Sequence, residues 1–187
     1  MTRADAVAQV AAALRDDALV VACNGMIGRE LYTRADAPTR FYMIGSMGLA
    51  SSIGLGVALV QPSRTVVVFD GDGNVLMNLG GLANVAAARP GNFHHVVFDN
   101  AAHGSTGNQR TISDRVPLEE IARAAGYRRT SRVGDAEELA VALRSWFDAP
   151  GPSMLLVAVD WQQVAGIGRV EPSPPAIAAR FRAACTR

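Results

Sequence analysis

Asp72 and Asn100 both carry side-chain oxygens, and each stands just past a short apolar run. Thr65-Val66-Val67-Val68-Phe69 precedes Asp70-Gly71-Asp72-Gly73, and Val96-Val97-Phe98 precedes Asp99-Asn100. A carboxylate and a carboxamide oxygen at the ends of two strands are ligands of the kind hard cations take. Mg2+ usually keeps water and recruits phosphate oxygens to finish its shell. Glycine on both sides of Asp72 lets a phosphate approach the backbone closely, and the helix expected next offers unpaired N–H groups to the same anion.

These residues need a frame that brings strand ends together. The runs Ala18 to Cys23, Phe41 to Ile44, 65–70, Phe93 to Asp99 and 153–159 read as mainly apolar strands, and 127–131 as a further short strand. Between them, helices are expected over 4–15, from Asn24-Gly25 through Tyr32, over Leu49 to Val60, over most of 74–88, over 117–125 and over 135–147. A short C-terminal helix follows the Pro-rich segment 171–175. Strands that alternate with helices, several of them apolar along their whole length, predict an α/β three-layer sandwich with a mainly parallel central sheet. Ligands in such folds bind outside the carboxyl ends of the strands, the edge where loops 24–28, 45–48, 70–74 and 100–110 fall. Residues 100–116 form a Gly/Ser/Thr/Asn stretch of little periodicity, and loops of that length in a compact domain are often functional.

The 187 residues suit one domain spanning the chain, 49% hydrophobic and 19% charged. The formal charge of +1 gives no general attraction to nucleic acid. All basic residues are Arg, which we read as a compositional bias shared with the abundant Ala. Cys23 and Cys185 are isolated from each other and from any Cys/His cluster, so neither a zinc site nor a disulfide framework is expected. The N-terminal segment lacks a signal-peptide core, no apolar run is long enough to span a bilayer, and the expected compartment is the cytoplasm.

Gly71-Asp72-Gly73, followed after 26 residues by Asn100, resembles the signature of thiamine diphosphate enzymes. The resemblance implies that Asp72, Asn100 and the carbonyl of Ala102 hold Mg2+, which clamps the cofactor diphosphate. Gly45-Ser46-Met47-Gly48 looks like the loop that takes the aminopyrimidine. Gly45 would accept from its amino group, and Met47 would donate an N–H and wedge the two rings apart. Asn24, Gly25, Asn74, Gly104 and Ser105 would lie with the diphosphate. The wording of residues 20–115 is similar to sulfopyruvate and phosphonopyruvate decarboxylases, notably Gly28-Arg29-Glu30-Leu31-Tyr32 and Asp99 to Gln109. Asn74 stands where a small residue is commoner, and Ala101-Ala102 replaces a more usual glycine-containing pair.

The resemblance covers only the diphosphate half of such an enzyme. It implies a partner chain of alpha type, carrying the pyrimidine domain and its catalytic glutamate, in a hetero-oligomer. The implied chemistry is decarboxylation of a small 2-oxo acid to an aldehyde and CO2. Alternatives are a carboligase subunit, or a non-catalytic subunit that kept the fold. A nucleotide module ranks last, because neither GxGxxG nor a GxxxxGK[ST] loop is present. His103 is the candidate for proton transfer or substrate hydrogen bonding. Ser105, Thr106, Gln109 and Arg110 are candidates for a sulfonate or phosphonate tail, Arg110 by a bidentate grip. Glu30 reads as a helix-surface or interface ion pair, His94 and His95 as edge or packing residues, and Cys23 as a small buried hydrophobe.

Overall fold

The computed structural model describes residues 1–162 and 164–186. In chain order the elements are α1 (Arg3–Ala12), β1 (Leu19–Ala22), α2 (Met26–Ala35), β2 (Arg40–Tyr42), α3 (Ala50–Val60), β3 (Val66–Gly71), α4 (Asp72–Met77) and α5 (Gly80–Ala88). There follow β4 (Phe93–Asp99), β5 (Ala102–His103), β6 (Gln109–Arg110), α6 (Leu118–Ala125), β7 (Arg129–Val133), α7 (Ala136–Leu143), β8 (Ser153–Ala158) and α8 (Pro174–Cys185). Six strands form one parallel sheet in the order β2-β1-β3-β4-β8-β7. Every residue of β1, β3 and β4 is buried, as strands covered on both faces must be. None of the described helices is long and apolar enough to cross a membrane.

The strand order fixes where a ligand can sit. From β1 the chain moves through α2 to β2, on one side. It then returns through α3 over β1 to β3, on the other side, and continues through α4 and α5 to β4. Right-handed crossovers that reverse direction put their helices on opposite faces. Accordingly α1 touches α2 and α7, whereas α5 touches α3 and α6. The loops after β1 and β3 therefore diverge and leave a crevice between them at the carboxyl edge, the place where open α/β sheets bind ligands. Gly54 brings α3 hard onto the sheet, since a Cβ there would lie 2.2 Å from Val68 Cγ2. A parallel bridge from Thr2 to Asp160, and a 3.0 Å ion pair from the Met1 ammonium to Asp160, bring the start of α1 to this same edge.

Several boundaries differ from the sequence expectation. The helix expected over most of 74–88 is two helices, broken at Asn78, whose backbone leaves the helical region (φ −148, ψ 64). The strand expected at 127–131 runs over 129–133, after the left-handed Gly126 that ends α6. The helix expected to reach 147 ends at Leu143, and the strand expected at 41–44 ends at Tyr42. The 100–116 loop contains a small antiparallel hairpin, β5 with β6. His94 and His95 lie on central strand β4, fully buried, so they are packing residues and not edge residues. Cys23 is buried, as expected.

Candidate active site

The crevice at the switch point is lined by Asn24 and Gly25 after β1, by Met47, by Gly71, Asp72, Gly73 and Asn74 at the junction of β3 with α4, and by Asn100, Ala102, His103, Gly104 and Ser105 after β4. These loops are distant in sequence and meet only because three strand ends lie side by side.

Asp72 is the first residue of α4 and is 2% exposed. The Thr111 hydroxyl donates to its Oδ2 at 2.5 Å, and Ser113 Oγ lies 3.3 Å from the same oxygen. Ser113 also donates to Asp99 Oδ1 at 2.7 Å, so two buried carboxylates are bridged by hydroxyls. Burial pushes the Asp72 carboxyl above its ordinary range and the charge of Asp99 adds to this, while the Thr111 and Ser113 hydroxyls and the Gly73 amide oppose it. A divalent cation would hold this carboxyl ionised. Asn100 Oδ1 accepts the Ala102 amide at 3.3 Å, a turn that fixes the loop carrying the Ala102 carbonyl.

Among the described residues, Asn24 Oδ1 and Asn100 Nδ2 are buried without a hydrogen-bond partner. Buried amide atoms are seldom left so. The two ends of a side-chain amide are interchangeable on the density of contacts alone, so Asn24 can turn its NH2 toward an anion. A carboxylate, a carboxamide and a backbone carbonyl fit Mg2+. The unpaired amide groups and the glycine backbone around Asp72 fit a diphosphate. Among the described residues no group of three or more His, Cys, Asp or Glu side chains could hold a metal, so a site here rests on mixed oxygen donors.

His103 lies over Gly73. A Cβ on Gly73 would come within 2.6 Å of His103 Cε1 and 3.2 Å of Met47 Cε, so a larger residue there would have to displace these side-chain ends.

Residues 20–157 match the family described as "Thiamine pyrophosphate enzyme, C-terminal TPP binding domain". The chain belongs to that family. Phosphonopyruvate decarboxylase of Streptomyces viridochromogenes is 46% identical over 185 residues, 99% of this chain and 46% of that protein. Sulfopyruvate decarboxylase subunit beta of Methanothermobacter thermautotrophicus is 48% identical over 128 residues, 68% of this chain and 68% of that subunit. The chain thus spans about half the length of the phosphonopyruvate decarboxylases it matches. In fold, it superposes on a thiamine diphosphate-dependent 4-hydroxybenzoylformate decarboxylase from Rhodococcus jostii with a TM-score of 0.73 at 18% identity, over 88% of this chain and 33% of that one.

Not every residue expected at this family's site lies in the crevice. Gly45 and Ser46 are exposed and line a separate depression with Ile53, Pro174 and Ile177. Only Met47 of that loop reaches the crevice. Thr106, Gln109 and Arg110 are exposed on the hairpin, and none of them lines the crevice. Thr106 Oγ1 donates to Gln109 Oε1 at 2.8 Å, and Arg110 donates to Asp114 at 2.7 Å. Glu30, expected as an ion-paired residue with no catalytic part, is ion-paired but buried, not on the helix surface. It is 1% exposed in a bidentate pair with Arg3, whose Nε and Nη2 lie 2.9 and 3.0 Å from the carboxylate.

Sequence reasoning missed Arg3, which lines the crevice from α1, and the hydroxyls of Thr111 and Ser113. For Thr111 and Ser113 a signal existed: both fall in the irregular stretch that follows Asn100. For Arg3 no local signal existed.

Proposed function

We propose that this chain is the diphosphate-holding part of a thiamine diphosphate- and Mg2+-dependent 2-oxo acid decarboxylase of the phosphonopyruvate or sulfopyruvate type. One observation carries the reading: Asp72, Asn100 and Asn24 share one crevice at the switch point, with two buried amide atoms there left unpaired. The identities of 46% and 48% to a phosphonopyruvate and a sulfopyruvate decarboxylase support the substrate class.

In this reading Asp72, Asn100 and the Ala102 carbonyl hold Mg2+. The backbone of Gly71 and Gly73, the Asn24 amide and the Ser105 hydroxyl bind the diphosphate. Thiamine diphosphate, when bound, supplies the electron sink that lets CO2 leave. The chain's own residues bind and orient. Met47 offers an apolar surface at the crevice mouth, and Gly45 and Ser46, exposed beside it, become cofactor contacts when the second half of the site closes over them. His103, which lines the crevice, hands a proton to, or takes one from, the reacting end of the substrate in this reading. A pyrimidine-domain polypeptide supplies the glutamate, and the working enzyme is a hetero-oligomer. The subunit name of the Methanothermobacter relative supports a two-chain arrangement.

Mixing the chain with a pyrimidine-domain subunit, thiamine diphosphate and Mg2+ is expected to release CO2 and an aldehyde from phosphonopyruvate or sulfopyruvate, with neither chain active alone. A mixture that binds the cofactor but yields only carboligation products would replace this reading by a carboligase.

A further inference from the structure

We propose that Arg29 and Arg169 form the subsite for the anionic tail of the substrate, a tetrahedral phosphonate or sulfonate, in a pocket that adjoins the cofactor crevice at Gly25. The proposal rests on the decarboxylase reading above and names the residues that would select its substrate class.

The arginines at the carboxyl edge divide into two groups. Arg3 is paired with Glu30, Arg110 and Arg115 with Asp114, and Arg132 with Glu119. A guanidinium already gripped by a carboxylate has its best donor pair occupied. Arg29 is half-buried on α2, and the side-chain hydrogen bond it makes among the described residues is a weak one, Nη1 to Met26 Sδ at 3.9 Å. Among the described residues neither Arg29 nor Arg169 has a carboxylate within ion-pair distance. Yet both line one pocket, whose walls include Gly25, Met43 and Ile44 on one side and the segment 170–174 on the other. The lining thus carries two arginines against one carboxylate, Glu171, which lies close enough to Tyr32 to act on its hydroxyl. The planar guanidinium fork matches a tetrahedral oxyanion bidentately, which an ammonium or a hydroxyl does not.

Position supports the assignment as much as charge. Gly25 lines both the crevice and this pocket. Asp72 and Asn100 follow β3 and β4, on one side of Gly25. Met43 and Ile44 follow β2, on the other. A 2-oxo acid with an acidic tail carries negative charge at both ends, and only the carboxylate end is to be lost. Holding the tail on the β2 side keeps it clear of the cation-binding side and leaves the keto carbon between them, beside Met47. A substrate without the tail, such as pyruvate, gains nothing from either arginine.

The test uses the reconstituted two-chain enzyme with R29Q, R169Q and R110Q. R29Q and R169Q are each expected to raise KM for phosphonopyruvate or sulfopyruvate about tenfold or more, the loss of one charge-assisted hydrogen bond, while kcat/KM for pyruvate stays unchanged. A readout free of turnover is the 31P line width of methylphosphonate added to the chain with thiamine diphosphate and Mg2+ present. The chain should broaden it, and R29Q should sharpen it again. Unchanged KM and unchanged line width in both variants overturn the subsite, as does an effect confined to R110Q. An equal fall of pyruvate turnover, or loss of partner association in R29Q, overturns it too, because the arginine would then serve the fold or the interface. If no 2-oxo acid is turned over by the parent enzyme, the decarboxylase reading fails, and the phosphonate line width still decides the subsite.

Discussion

Asn74 Oδ1 accepts the backbone amide of Gly48 at 3.1 Å, so the helix that begins at Asp72 holds the loop that ends at Met47-Gly48. Asn78 Nδ2 donates to the Gly48 carbonyl at 3.1 Å, so both backbone groups of Gly48 are held from this region. The loop expected to seat the aminopyrimidine is thereby tied to the carboxylate expected to hold the metal. N74A should cost ~1–2 kcal/mol by leaving a buried amide unpaired. It should also weaken thiamine diphosphate binding about tenfold, read by calorimetry at saturating Mg2+. A variant destabilised to that extent with unchanged cofactor affinity would limit Asn74 to a structural role.

Thr111 is expected to prepare Asp72 for a cation. Its hydroxyl satisfies one oxygen of a carboxylate that burial otherwise pushes toward the protonated form. T111V keeps the shape and removes the donor. Mg2+-dependent cofactor binding should fall about tenfold or more, and the loss should deepen as pH is lowered, since protons then compete with the metal for Asp72. T111S should restore it. A direct readout is Mn2+ binding followed by electron paramagnetic resonance; equal affinity in wild type and T111V would sink the idea. D72A should abolish metal binding outright.

Arg3 and Glu30 are both buried and bind each other through two hydrogen bonds. Burial raises the Glu30 carboxyl and Arg3 pulls it back. Removing one partner leaves a buried charge uncompensated, so R3M should destabilise the chain by ~3–5 kcal/mol in urea denaturation, whereas R3M combined with E30L should recover most of the loss. Because Arg3 also lines the crevice, the double variant separates stability from ligand binding. Weakened diphosphate affinity in a well-folded double variant would give Arg3 a part in holding the anion.

How much of this was legible in the sequence follows from where each residue sits relative to a strand end. Asp72, Asn100, Asn24 and Met47 were readable because each lies a few residues beyond an apolar run, and a parallel sheet brings such points together whatever the details between. Arg3, Thr111 and Ser113 reach the site through tertiary contacts of loops and of the N-terminus, for which sequence has no periodic signal. The break between α4 and α5 was unreadable for a related reason. Asn78 leaves the helix and bonds Gly48, thirty positions earlier, a contact no local propensity encodes. Arg110 looked suited to an anion by type and by loop, but Asp114, four residues further along the chain, takes its guanidinium instead.

His94 contributes to the loss of stability in acid, and Asp72 contributes with the opposite sign. The ring is 2% exposed, its Nδ1 lies 2.8 Å from Ser153 Oγ, and burial, aided by Arg129, lowers its pKa from 6.5 to about 4. A histidine whose folded pKa is depressed binds fewer protons folded than unfolded. Its contribution is therefore present above the unfolded pKa and is lost as pH falls from about 6.5 toward 4, worth roughly 3 kcal/mol in full. Asp72 has the opposite sign: its raised folded pKa means the metal-free chain gains stability as pH falls through that value. The two contributions overlap in the same acid window, so the wild-type curve alone separates neither. H94Q, which keeps a partner for Ser153, should flatten the acid loss, and D72N should steepen it while stabilising the metal-free chain at neutral pH. Thermal melts of the three proteins without Mg2+, from pH 7 down to about 4, decide the matter. Parallel curves for wild type and H94Q would mean that the ring is already protonated in the folded state.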